Sequence, residues 1–311
     1  MPTGELKNLL LKADPAFWPH LAASTRSAKE FDELFRLSAL RKKAHARHLP
    51  VPGVSREKFR VVLLGGYSLY PFHELLEHLC EMAGQPVELW RGEFDNYISE
   101  IMDGTGGLYE FKPQAVVLMP SEHRCKYTGQ LADPREAQQA EAGRVVNALL
   151  DLVRRLHEKA RAEIIITNFM LPARHDLGAF RSRTLGSDWA FRKWVNFELG
   201  FNAPPYLHIC DLEFLAHRIG GLAARDERAW FESKQPGSPA LLERGDVFLK
   251  RLERLPARRG VADLNAFQAV IRHHAAPQRV VQVQHQHFFR RAFEREDQMH
   301  RLPRQFHQQG G

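Results

Sequence analysis

The residues best suited to chemistry follow the first apolar run of the chain, at Gly66-Tyr67-Ser68-Leu69. A serine directly after a buried strand can act as a nucleophile, and loop amides with the next helix N-terminus can support an oxyanion. Ser68 needs a base, and His123 is the histidine on the adjoining loop, because the loops after strands one and three adjoin in a flavodoxin-like order. Both residues also have ordinary interpretations, Ser68 as a helix cap and His123 as a solvated surface residue.

Two further polar residues lie in other loops of the predicted fold. Asn168, after the fourth apolar run, would donate to an oxyanion or cap a turn, and Lys234 would pair with an anionic substrate or remain a solvated lysine. The acidic loop at 92–95 and Asp103 have no spacing that fits a metal cage. We therefore predict no metal ion and no cofactor. The aromatic residues between 189 and 197 are predicted to pack a helix rather than to form a ligand platform.

Short apolar runs alternate with helical periodicity from about Phe59 onward. The predicted strands are residues 60–64, 87–90, 115–119, 164–166 and 206–210. Because parallel neighbours need crossover connections, this alternation predicts an α/β fold with a doubly wound, flavodoxin-like, five-stranded parallel sheet. Val61–Leu64 should be central, since the run is apolar on both faces. Ligands bind beyond the carboxyl ends of such strands. This rule selects the loops 65–70, 120–127 and 167–175.

The composition is that of a globular protein with a substantial core, with 44% hydrophobic and 26% charged residues among 311. Three distant cysteines, no secretion signal and no long apolar run predict a cytoplasmic protein without a membrane span. The net charge of +7 is concentrated in residues 251–311, which contain eleven arginines and five acids, while the remaining 250 residues balance to +1. A nearly neutral body argues against a nucleic-acid partner.

Three parts are predicted along the chain. Residues 1–58 have amphipathic helical spacing and form a helical lead-in, and residues 59–242 form the α/β domain. Residues 243–311 are a basic, His- and Gln-rich tail with little apolar content in its last forty residues. Such a composition cannot bury enough surface to offset the entropy of ordering, so we expect the tail to be disordered.

Several segments resemble FkbH-like proteins, and they occur in the order found in that family. They are Gly92–Tyr97, Glu100–Asp103, Gly107–Leu118, Thr167–Pro172, Cys210–Leu212, Asp226–Phe231 and Lys234–Pro236. The tetrapeptide at 66–69 also resembles the Gly-Asp-Ser-Leu signature of SGNH (GDSL) hydrolases, with tyrosine in place of aspartate. Together these matches cover roughly residues 58–240. The resemblance implies the SGNH-hydrolase-like N-terminal domain of an FkbH-like protein.

In complete FkbH-like proteins a haloacid-dehalogenase-type domain follows and loads a glyceryl unit onto an acyl carrier protein for polyketide assembly. That domain needs an Asp-x-Asp-x-Thr motif for phosphoryl transfer and magnesium binding. This sequence has Asp263 and Asn265 there, and no threonine follows. The resemblance therefore predicts that the second domain is missing or degenerate, and that the tail is either a divergent native segment or a frameshift product.

The resemblance implies only part of a hydrolase site. Ser68 matches the nucleophile, but the family's Asp-x-x-His segment has no histidine at 226–229, and the oxyanion asparagine is missing at 120–123. The candidate catalytic residues are therefore Ser68 and His123. The candidates for substrate or oxyanion binding are Gly66, Tyr67, Asn168 and Lys234.

The preferred hypothesis is a binding module in carrier-protein-linked biosynthesis of a polyketide or surface glycan. Its partner would be an acyl carrier protein or a small acyl or glyceryl ligand. One alternative is an esterase or acyltransferase of the SGNH type that uses Ser68. The other is a truncated remnant of a two-domain glyceryl transferase.

Overall fold

The computed structural model describes residues 3–28, 30–51, 58–174 and 176–242. The predicted tail at 243–311, with its predicted disorder, lies outside these residues. The helices and strands given below lie between Thr3 and Leu242.

A five-stranded sheet forms the centre of the α/β part. Its strands are β1 (Phe59–Gly65), β2 (Val87–Arg91), β3 (Ala115–Met119), β4 (Glu163–Thr167) and β5 (Leu207–Cys210). All four neighbouring pairs are parallel, in the order β2-β1-β3-β4-β5. This order confirms the predicted doubly wound α/β sheet. Val61–Leu64 lies inside the sheet as predicted, one place from the middle, which β3 occupies.

Helices cover both faces of the sheet. They are α1 (Thr3–Leu11), α2 (Phe17–Ser27), α3 (Phe31–Ala46), α4 (Phe72–Met82), α5 (Tyr97–Met102), α6 (Gly107–Glu110), α7 (Arg135–Ala160), α8 (Asp188–Phe201), α9 (Leu212–Ile219), α10 (Gly221–Ala224), α11 (Glu227–Ser233) and α12 (Pro239–Leu242). Alternate residues of each strand point to opposite faces. Val62 and Leu64 therefore pack with α5 to α8, whereas Val61 and Leu63 pack with α4 and α9. Among the helices described, none combines the length and apolar character needed to cross a membrane.

The helical lead-in packs on the α/β part through α4. Arg41 of α3 forms a buried ion pair with Glu81 (2.8 Å) and a partly buried one with Glu77 (3.0 Å) of α4. His78 of α4 is fully buried, and its Nε2 lies 2.9 Å from Oγ1 of Thr25 in α2. Burial lowers the pKa of His78 to about 3, so the ring is neutral. These contacts join α2 and α3 to the first helix of the α/β part.

Candidate functional site

The loop that carries Ser68 lies against the loop after β3. The backbone N–H of Gly66 donates to the Met119 carbonyl at 3.0 Å. A Cβ atom on residue 66 would lie 2.5 Å from Cβ of Ser121, closer than real Cβ contacts. Glycine is therefore required at this close approach, and the predicted neighbourhood of the first and third loops is confirmed.

The loop after β2 joins the same group of loops. The N–H of Asp95 donates to the carbonyl of Gly65 at 3.0 Å, and the Asp95 carboxylate accepts two hydrogen bonds from Arg124, at 3.0 and 2.7 Å. Glu100 accepts from the backbone N–H of Glu93 at 2.8 Å. The acids of this segment thus fix the loop. Within the described residues no group of three His, Cys, Asp or Glu side chains is arranged to hold a metal ion.

The segment at the end of α11 closes over the serine loop. The Ser68 N–H donates to the Lys234 carbonyl at 2.9 Å, while the Ser68 hydroxyl donates to the Tyr70 carbonyl at 3.3 Å. The Gln235 side-chain amide donates to the same Tyr70 carbonyl at 2.6 Å. Asp226 starts α11 by accepting a hydrogen bond from the N–H of Ala229. In place of an Asp-x-x-His pair, this segment provides a clamp on the serine loop.

Ring contacts of Trp230 link Tyr67, the residue before Ser68, with His123. Tyr67 is 3% exposed, and its hydroxyl accepts a hydrogen bond from the N–H of Glu122 at 3.0 Å. Trp230 packs edge-on against Tyr67, and the His123 ring stacks on Trp230 with 4.1 Å between centroids. Burial lowers the pKa of His123 and raises that of Tyr67. His123 thus pairs its ring with Trp230, and its role as a base for Ser68 stays a prediction.

A buried carboxylate occupies the loop in which the resemblance would place an oxyanion asparagine. Glu122 is 7% exposed, and its Oε1 lies 2.8 Å from Arg225 and 3.8 Å from Arg192. Arg192 also donates to the carbonyl of Cys125 at 3.2 Å. The Cys125 thiol lies in the core, and burial raises its pKa to about 12. This network fixes the loop after β3, and the two arginines balance the charge of the Glu122 carboxylate.

Asn168 lies apart from the other candidates. Its Nδ2 donates to Asp211 at 2.8 Å, and its Oδ1 accepts from the N–H of Glu213 at 3.2 Å, so it joins the ends of β4 and β5. Since β3 separates β4 from β1 and strands are about 4.8 Å apart, the two strand ends are about 10 Å apart. The fold brings the other five candidate residues to adjoining loops: Gly66, Tyr67, Ser68, His123 and Lys234. The oxyanion role of Asn168 stays a prediction.

A cavity of about 530 Å³ opens beside Ser68 on the β2 side of β1. The lining includes Lys234 together with three residues that sequence reasoning missed: His73, Arg91 and Phe94. Arg91 ends β2, and the carboxyl-end rule applied to that strand would have found it. The pairing of Arg91 with His73, at 3.0 Å, has no local sequence signal.

Solved structures resemble this fold. The N-terminal part of the protein BF1531 from Bacteroides fragilis, described as containing a phosphatase domain complexed with Mg, matches at a TM-score of 0.58 and 20% identity. The match covers 74% of this chain and 58% of that one, so this chain spans less than two thirds of that structure. At this identity the likeness shows the α/β fold alone.

Two lipases show weaker similarity. The lipase Lip_vut3 from a goat rumen metagenome matches at a TM-score of 0.44 and 12% identity, covering 62% of this chain and 97% of the lipase. A GDSL-like lipase from Bacteroides thetaiotaomicron matches at a TM-score of 0.41 and 11% identity, covering 70% of this chain and 98% of the lipase. No protein-family model and no curated protein matches the chain.

Proposed function

We propose that the α/β part is a binding module of the SGNH-hydrolase-like type, in which Ser68 does not turn over esters. The observation that carries this proposal is the hydrogen bonding of the serine loop. The N–H groups of Gly66 and Ser68 both donate to backbone carbonyls, and so does the Ser68 hydroxyl. An oxyanion needs donors that are free to meet it, so this loop offers a poor site for one.

The neighbouring histidines support the same proposal. A serine hydroxyl is a weak nucleophile until a base removes its proton. The His123 ring stacks on Trp230, and Nε2 of His73 lies 3.0 Å from a guanidinium nitrogen of Arg91. Arginine only donates hydrogen bonds, so this contact occupies the His73 lone pair.

We further propose that the module acts in carrier-protein-linked biosynthesis, with an acyl carrier protein or its acyl or glyceryl group as the partner. This part rests on the resemblance of residues 92–118 and 226–236 to FkbH-like proteins. The cavity of about 530 Å³ supports it, because small-molecule sites commonly have this size and combine apolar walls with a few polar groups.

Ester hydrolysis tests the first part of the proposal. The purified protein, Ser68→Ala and His123→Ala are incubated with p-nitrophenyl acetate and butyrate, and with a fluorophosphonate that labels activated serines. We expect all three proteins to match the uncatalysed rate and the serine to remain unlabelled. Brisk hydrolysis that both substitutions abolish would overturn the binding proposal.

Carrier binding tests the second part. Calorimetry compares an apo acyl carrier protein with the same carrier bearing its prosthetic arm and an acetyl or glyceryl group. We expect tighter binding of the loaded carrier, with the preference lost in Phe94→Ala, because Phe94 lines the cavity. Equal binding of loaded and apo carrier, or none of either, would contradict the carrier-linked role.

One observation favours the alternative of a Ser68-dependent esterase. Ser68 lines the cavity, so a bound ester would lie near its hydroxyl. The hydrolysis assay separates the two functions.

A further inference from the structure

Two cations without acidic partners line the cavity beside Ser68. Arg91 and Lys234 both belong to its wall, and within the described part of the chain neither forms an ion pair with a carboxylate. Other exposed arginines of the α/β part do find such partners, for example Arg124 with Asp95 and Arg144 with Glu141. The cavity therefore carries positive charge that the fold itself leaves unbalanced.

His73 positions Arg91 without neutralising it. Because arginine has no acceptor, Nε2 of His73 must accept the 3.0 Å hydrogen bond from Arg91. The proton of the neutral ring is then on Nδ1, which donates to the carbonyl of Leu69 at 3.0 Å. Burial lowers the pKa of His73, which keeps the ring in this neutral form. The histidine orients the guanidinium and adds no negative charge.

The backbone of Lys234 is held by the loop that carries Ser68. Its backbone is in the left-handed region, with φ of 56°, and its carbonyl accepts from the Ser68 N–H at 2.9 Å. Its amine lies 5.2 Å from the Trp230 ring and 5.8 Å from the Phe231 ring. Aromatic faces attract a cation but leave its charge in place. The amine thus remains able to bind an anion.

Aromatic and apolar side chains also line the cavity. Phe94 is 53% exposed and Tyr70 is 50% exposed, and both line the cavity together with Leu69. Exposed aromatic side chains that meet in a concave site favour the burial of an apolar group.

We propose that this cavity binds a small organic anion, with a phosphate or carboxylate head group between Arg91 and Lys234 and a short apolar tail against Phe94 and Tyr70. The planar guanidinium suits two-point recognition of either head group, and the lysine acts as a point charge. The inference rests on the proposed function, because it treats the cavity as a site of binding without turnover, and it specifies the chemical class of the ligand.

Calorimetry with four probes tests the inference: hexyl phosphate, hexanoate, hexan-1-ol and inorganic phosphate. We expect hexyl phosphate or hexanoate to bind at least about tenfold more tightly than hexan-1-ol, which has the tail without the charge. The stronger of the two anions identifies the head group. Inorganic phosphate should bind more weakly than hexyl phosphate, since it lacks the tail.

Single substitutions locate the binding. Arg91→Gln and Lys234→Gln should each weaken binding of the preferred anion by about tenfold or more. Phe94→Ala should weaken the binding of hexyl phosphate and leave the binding of inorganic phosphate unchanged. Lys126→Gln is the matched control, because Lys126 is exposed on the loop after β3 and lies outside the cavity wall, and it should have no effect.

Equal affinity for hexan-1-ol and the anions, or unchanged anion affinity in Arg91→Gln, would overturn the inference. Its failure is distinct from failure of the proposed function. If the protein hydrolyses esters through Ser68 but also binds hexyl phosphate through Arg91, the proposal of binding without turnover is refuted and the anion site stands. Thermal unfolding of each variant shows whether it is folded, and Arg91 is exposed enough for its substitution to leave the fold intact.

Discussion

Adding one methyl group at Gly66 should force apart the two loops that form the site. The new Cβ of Gly66→Ala would lie 2.5 Å from Cβ and 2.8 Å from the backbone nitrogen of Ser121. Carbon atoms pack favourably at about 3.5–4.0 Å, so the approach is short by about 1 Å and involves backbone that cannot rotate away. Overpacking costs about 1–3 kcal/mol, and strain on the 3.0 Å hydrogen bond to Met119 adds about 1 kcal/mol.

The expected loss in free energy of unfolding is therefore about 2–4 kcal/mol. At about 2–4 °C per kcal/mol for a domain of 150–250 residues, the melting temperature should fall by about 5–15 °C, measured by circular dichroism. Gly143→Ala is the control, because Gly143 lies inside α7 and a methyl group added there would meet nothing within 4 Å. That substitution should stabilise the protein by about 0.5–1 kcal/mol. A Gly66→Ala protein as stable as Gly143→Ala would refute the close approach.

Two further predictions concern the contacts between the lead-in and α4. The pKa of His78 is about 3 in the fold and 6.5 when unfolded, so the stability that its neutral ring contributes is complete above pH 6.5 and is lost as the pH falls toward 3. Between pH 7 and pH 5 the free energy of unfolding should fall by roughly 2 kcal/mol through this group. Urea unfolding of His78→Leu should show a smaller fall than the unsubstituted protein over this pH range, and an equal fall in both would contradict the assignment. Arg41→Met should cost about 3 kcal/mol, the low end for breaking a buried pair, because Glu81 loses its guanidinium partner but keeps a contact with His45 at 2.7 Å. The exposed control Arg154→Met should cost under about 1 kcal/mol, and equal losses would mean that the buried pair does not anchor the lead-in.

The strands could be predicted because their signal is local. The run 61–64 and the run 115–119 are apolar without alternation, and both are buried on the two faces of the sheet. Which of the two strands lies in the middle of the sheet depends on the side on which β4 and β5 pair. The crossover connections decide that side, and the sequence of a single strand does not reveal it. The short helices α5 and α6 could not be predicted, because six and four residues are too few for a clear helical period.

The candidate site could be placed from the sequence but its contacts could not. Knowing that ligands bind at the carboxyl ends of parallel strands was enough to bring Ser68 and His123 to adjoining loops. The contacts of Trp230 with Tyr67 and His123 depend on how α11 packs against loops that are distant from it along the chain. The pair of His73 and Arg91 was missed for the same reason, since each residue alone looks like an ordinary surface side chain.

The reactivity of the buried Cys125 thiol can report how often the loop after β3 opens. Alkylating reagents attack the thiolate, and a pKa of about 12 in a core position leaves almost none at neutral pH. Iodoacetamide can therefore modify Cys125 only during moments when the loop separates from α8, where Arg192 binds its carbonyl. The labelling rate of this one cysteine, followed by mass spectrometry of its peptide, would report how often the crevice wall opens and whether a bound ligand keeps it shut.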